Sequence, residues 1–166
     1  MTDEPQPVTL EGVRPELEFV VRIELDLPQF LESLGSLGGM GERKMMAIRG
    51  GRFAGPALRG VVLPGGSEWP LIRPDGVGCI DARYTLRTDD GVLINIRNTG
   101  YRHGPPEVMR RLDAKQERVD PRLYYLRTYT VFEAPVGKYD WMSRHVFVGV
   151  GERHPHANYF DYYKLP

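Results

Sequence analysis

Apolar and polar residues alternate along much of this chain with a period of two, the signature of half-buried β-strands. Leu17, Phe19, Val21, Ile23 and Leu25 interleave with Glu18, Arg22, Glu24 and Asp26, and Pro28 ends the run. The longest such stretch, Gly78 to Arg102, is broken only at Asp89-Asp90-Gly91. A three-residue loop with Gly91 in the left-handed region predicts a hairpin with a G1 bulge, because glycine has no Cβ to clash there. That loop sets the register. One face then pairs Thr88 with Val92, Leu86 with Ile94, Tyr84 with Ile96 and Ala82 with Asn98, and is mostly apolar. The other pairs Arg87 with Leu93, Thr85 with Asn95, Arg83 with Arg97 and Asp81 with Thr99. Two arginines directly opposed repel unless a negative charge lies close by.

Further strands are predicted at Lys44–Phe53, Leu58–Leu63, Tyr124–Ala134, Ser143–Gly151 and Tyr159–Leu165, with a short edge piece at Trp69–Arg73 interrupted by Pro70. Gln29–Leu34 reads as a helical turn. The glycine cluster after it, Gly35, Gly38, Gly39 and Gly41, lacks the Gly-Lys-Ser/Thr ending of a phosphate loop. One helix is expected, Pro106–Lys115, with proline at its start, Glu107 in the first turn, and Val108 and Leu112 on one face. The pattern gives about eight or nine strands with turn signals every roughly 8–12 residues. Connections this short imply antiparallel order. The fold expected is all-β: a closed antiparallel β-barrel with one short helix, Gly60, Gly149 and Gly151 serving as bend points. Residues 1–15 read as a disordered tail and residues 16–166 as a single barrel domain.

Composition narrows the function classes. Lys plus Arg and Asp plus Glu number 22 each in 166 residues, whereas a nucleic-acid binder carries a basic excess. No stretch approaches the length of a membrane span and no leader pattern opens the chain, so a soluble, cytoplasmic protein is expected. The lone cysteine, Cys79, excludes an internal disulfide framework and reads as a small buried hydrophobe. His154 and His156 share a side of an extended segment but lack a third ligand nearby, so no metal is expected. No serine stands in a nucleophile-elbow context.

Several segments resemble a known family. These are Gly50-Gly51-Arg52-Phe53-Ala54-Gly55-Pro56, Gly60-Val61-Val62-Leu63-Pro64-Gly65-Gly66, Arg73-Pro74-Asp75-Gly76, Asp81-Ala82-Arg83-Tyr84 and Asn98-Thr99-Gly100-Tyr101-Arg102. Tyr124-Tyr125-Leu126-Arg127-Thr128, Tyr139-Asp140-Trp141 and Phe147-Val148-Gly149-Val150-Gly151 continue the likeness. Together they are similar to DUF3237, also called the UPF0311 family, over about residues 17–163. Ser143 stands where that pattern has asparagine before Arg144. The resemblance implies a calycin/lipocalin-like barrel and no particular activity.

The candidate chemistry rests on polar and aromatic residues within strand patterns: Trp69, Arg73, Asp81, Arg83, Arg102, Tyr125, Arg127, Trp141 and Arg144. Charged residues are seldom buried unless paired, so residues of this kind on strand interiors point to a partly polar lumen holding a small molecule. In that reading Asp81 is the general base and Tyr125 the acid or oxyanion donor. Arg73 and Arg83 anchor a negative charge, with Arg102, Arg127 and Arg144 as further cations, and Trp69 and Trp141 form walls. The expected function is cofactor-independent acid/base chemistry of isomerase, cyclase, dehydratase or lyase type on an oxygenated aromatic or polyketide-like molecule. The alternative is a non-catalytic carrier for a small apolar acid. Tyr159, Tyr162 and Tyr163 fit either a barrel wall or a homo-oligomer contact.

Overall fold

The computed structural model describes residues 15–166, so the expected N-terminal tail lies outside the described residues apart from Pro15. The strands are β1 (Glu18–Asp26), β2 (Glu32–Ser36), β3 (Glu42–Ile48), β4 (Gly50–Ala54), β5 (Arg59–Val62) and β6 (Gly66–Glu68). They continue as β7 (Leu71–Ile72), β8 (Gly78–Thr88), β9 (Leu93–His103), β10 (Tyr125–Glu133), β11 (Val146–Arg153) and β12 (Ala157–Leu165). The helix α1 is Pro106–Ala114. Gln29–Leu34 is not a helical turn; the chain bends and then extends into β2 from Glu32.

Eight strands close on themselves in the order β8-β5-β4-β1-β12-β11-β10-β9, and β9 pairs back onto β8. All pairings are antiparallel. The four remaining strands form a flap: β6 and β7 follow β5 along one edge of β8, β3 pairs with both, and β2 lies outermost. The β8–β9 register is the one that the Gly91 loop dictates, Leu86 opposite Ile94, Tyr84 opposite Ile96 and Arg83 opposite Arg97. Gly91 has φ 85° and Thr88 N donates to Val92 O.

The apolar face of this hairpin is the inside. Leu86, Ile94 and Ile96 are fully buried, whereas Asp81, Arg83 and Arg97 point outward and are exposed. A closed barrel has no second layer on its outer wall, so the apolar set turns to the only place that excludes water. The opposed Arg83 and Arg97 are therefore hydrated rather than neutralised in a lumen. Cys79, expected as a buried hydrophobe, sits half-buried in the outward phase of β8.

The lumen is filled in layers. Phe132 contacts Phe147 and Tyr162 edge-on, with ring centroids 4.7 and 5.6 Å apart. At mid-height the Tyr84 and Tyr162 hydroxyls lie 3.0 Å apart, and Thr130 Oγ1 donates to Asn98 Oδ1 at 2.7 Å. Tyr162 is thus lumen packing, while Tyr159 and Tyr163 lie half-buried on the outside. Gly149 and Gly151 make room for this filling. A Cβ at Gly149 would meet Thr128 Oγ1 at 2.2 Å and the Tyr162 ring at 2.9 Å, and one at Gly151 would meet Leu126 Cγ at 2.4 Å.

The segment 136–144 plugs one end of the barrel with Tyr139 and Met142. Asp90 fastens this plug to the hairpin loop, accepting from Lys138 Nζ and from the Tyr139 hydroxyl, each at 2.9 Å. Ser143 Oγ bonds both the N–H and the carbonyl of Ala134, at 2.8 and 3.2 Å. Helix α1 lies at the opposite end, where Val108 and Leu112 join the core.

Candidate functional site

At the α1 end the inward phase of several strands changes from apolar to charged. On β9 the sequence Ile94, Ile96, Asn98, Gly100 ends in Arg102; on β11 Phe147, Gly149, Gly151 ends in Arg153. Glu68, the last residue of β6, lies opposite Ala82 on one side and Met46 on the other, both inward-facing. Asp113 arrives on α1, Lys115 just beyond it and Lys44 from β3. These six surround a cavity of about 250 Å³ whose apolar wall includes Phe30, Leu31, Met46, Ile72, Ile80 and Phe160.

The charges are organised by one carboxylate. Asp113 Oδ1 lies 3.2 Å from Arg102 Nη2 and 3.2 Å from Arg153 Nη1, although both arginine side chains are about nine-tenths buried. Lys115 occupies the left-handed C-cap of α1 at φ 52°, the one non-glycine positive φ among the described residues, and its Nζ donates to Pro28 O at 3.0 Å. A side chain in that conformation carries strain that glycine would avoid. The Pro28 carbonyl holds the ammonium group at the cavity wall.

Glu68 is 7% exposed. Burial raises its pKa to about 7, an effect that Arg102 and Lys115 pull back and Asp81 reinforces. Lys115 is lowered, first by its own burial and then by Arg102. A carboxyl group poised near neutrality can both take and give a proton. Below it, burial holds the Tyr84 and Tyr162 phenols above their ordinary range, so both are neutral hydrogen-bonding groups.

Of the residues singled out from sequence, Arg102 lines this cavity and the others do not. Asp81 and Arg83 stand on the outer wall of β8. Tyr125 is 43% exposed, stacks on His103 with centroids 4.8 Å apart, and carries Arg127 over its ring at 5.4 Å. Arg127 Nη1 donates to the Leu126 carbonyl. Trp69 is 40% exposed and donates from Nε1 to Ser67 Oγ. Arg73 is ion-paired with Asp75 in the turn after β7. Trp141 packs on Phe147 near the plugged end, and Arg144 pairs with Asp140 there. Asp81 and Tyr125, expected to work together in the lumen, both face away from it because strand alternation puts their neighbours Ala82 and Leu126 inside. Glu68, Lys115 and Arg153 carried no sequence signal used above, but Arg153 is in phase with Phe147, Gly149 and Gly151, and that phase would have found it.

Fold and cavity together define a closed eight-stranded antiparallel barrel with a charged pocket at its open end. The chain belongs to the family described as protein of unknown function DUF3237, whose model matches residues 15–165. A UPF0311 protein of Clostridium acetobutylicum is 37% identical over 147 residues, covering 89% of this chain and 90% of that one. A solved structure described as a beta-barrel like protein from Acinetobacter baumannii superposes with a TM-score of 0.82 at 35% identity, covering 95% of this chain and all of that one. A structure described as an enzyme from Penicillium herquei shares the fold at 18% identity, with a TM-score of 0.70 over 96% of this chain and all of that one. Among the described residues no helix is long and apolar enough to cross a membrane.

Proposed function

We propose that the cavity binds a small oxygenated organic molecule and that Glu68 moves a proton on it without a cofactor. The observation carrying this reading is a buried carboxyl group, poised near neutrality, that shares a cavity with Arg102 and Lys115. As the carboxylate, Glu68 takes a proton from a carbon beside a carbonyl. Arg102 and Lys115 favour the negative charge that then develops on oxygen. Returning the proton to a different carbon is an isomerisation; handing it to a departing β-hydroxyl group, which leaves as water, is a dehydration. A volume of about 250 Å³ with apolar walls lies near the small end of ligand sites and suits a single ring. Kinship of fold with a protein described as an enzyme agrees with this but carries no weight for the reaction.

Deuterium exchange tests it. Ligand retained through purification is incubated with the protein in heavy water, and its mass is followed. Exchange at carbon with the wild type, lost in Glu68→Gln while the ligand stays bound, supports proton transfer. Retention of the ligand with no exchange in either protein supports the non-catalytic carrier instead.

A further inference from the structure

The cavity is electrically unbalanced. Among the described residues Lys44, Arg102, Lys115 and Arg153 line it against Glu68 and Asp113; Lys44 has a carboxylate of its own in Glu42 at 3.7 Å, and burial pushes the Glu68 pKa up to about 7. Asp113 is shared between two arginines through a single oxygen, so it offsets one of those charges and leaves the other. The shortage also shows in hydrogen bonds. Arg102 Nη1 is buried with no acceptor among the described residues, and Asn158 Oδ1, on the same wall and opposite Arg153, is buried with no donor. A guanidinium N–H left without a partner in a dry site is costly and gains strongly from an incoming anion. Phe30, Leu31, Ile72, Ile80 and Phe160 supply an apolar wall beside the cations, which fits an organic acid better than an inorganic ion.

Resting on the reading that the cavity holds a small molecule, we propose that its ligand is a single-ring or short-chain carboxylic acid bound as the anion, with its carboxylate on Arg102 and Arg153 and its body on the apolar wall. Lys44 and Lys115 add to the field that draws the acid in, and Asp113 holds the two guanidinium groups side by side. Asn158 then favours acids that also carry a hydroxyl group.

The test uses the full chain and isothermal titration at neutral pH with benzoate, 2-hydroxybenzoate, benzamide and a short series of alkyl carboxylates. Benzoate binds at least about tenfold more tightly than the neutral benzamide of the same shape, and Arg102→Gln removes that preference. Arg153→Gln weakens benzoate in the same direction. Added salt weakens the acid and not the amide, which reads the proposal even if Arg102→Gln does not fold. Equal affinity for benzoate and benzamide overturns this inference and leaves the cavity reading standing. Binding of none of the probes overturns both.

Discussion

Arg102 Nη2 on β9 and Asp113 Oδ1 on α1 lie 3.2 Å apart, so the wall of the cavity is tied to the helix at its rim. The arginine is almost wholly buried and the aspartate is more than half exposed. Replacing Asp113 by Asn therefore strands two buried guanidinium groups, Arg102 and Arg153, while removing little packing. A loss of about 1–3 kcal/mol in denaturant unfolding is expected. The same change adds net positive charge to the cavity, so carboxylate binding becomes tighter and ligand restores part of the lost stability. Destabilisation with unaltered anion affinity would separate the bridge from the site.

Glu68 gives a stability signature of its own. Its pKa rises on folding from 4.5 to about 7, so between those values the folded chain holds a proton that the unfolded chain has released. Stability from this group therefore falls as pH rises from about 4.5 through about 7, and the full penalty is present above that. The shift corresponds to about 3 kcal/mol. The groups acting on Glu68 are Arg102 from β9, Lys115 beyond α1 and Asp81 from β8; Lys44 from β3, Asp113 from α1 and Arg153 from β11 share its cavity. Glu68→Gln is expected to stabilise the empty protein at pH 8 and to flatten its stability profile across this range. A variant no more stable than wild type at that pH counts against a buried, strained carboxylate.

Asp81→Asn and Arg83→Gln are expected to leave ligand binding and stability within about 0.5 kcal/mol of wild type, because both side chains stand on the outer wall. Calorimetric titration with an acid ligand checks this. Loss of binding in Arg83→Gln would return the site to the opposite face of the hairpin.

Gly149→Ala tests the layered lumen. The new methyl group meets Thr128 Oγ1 and the Tyr162 ring well inside contact distance, and overpacking of this kind costs about 1–3 kcal/mol. Thermal unfolding should show a clear drop with the barrel topology kept.

The hairpin register could be read from sequence because a three-residue loop ending in Gly91 leaves one pairing, and the alternation of Tyr84, Leu86, Ile94 and Ile96 agrees with it. The direction of each face was harder. Arg83, Arg97 and Arg127 on strand interiors look like lumen residues when charge is weighed before apolar phase, yet the closed barrel turns Leu86, Ile96 and Leu126 inward and so fixes the arginines outside. Arg102 was singled out on charge, together with the outward arginines, and it lines the cavity because it ends the inward phase of β9. Glu68 was not legible: β6 has three residues in a glycine- and proline-rich stretch, too short to show a period. Asp113 on α1 and Lys115 just beyond it come from a segment whose helical spacing says nothing about which part of the barrel it covers. Lys115 did leave a trace only in the backbone, as a lysine where glycine usually sits.

The most direct measurement is the titration of Glu68 itself, followed by the carbon-13 resonance of its carboxyl group with and without benzoate and assigned by Glu68→Gln. The account predicts a midpoint near 7 in the free protein, moving upward when a bound anion makes a second negative charge in the cavity less favourable. A midpoint in the ordinary carboxylate range, unmoved by any acid, would contradict it.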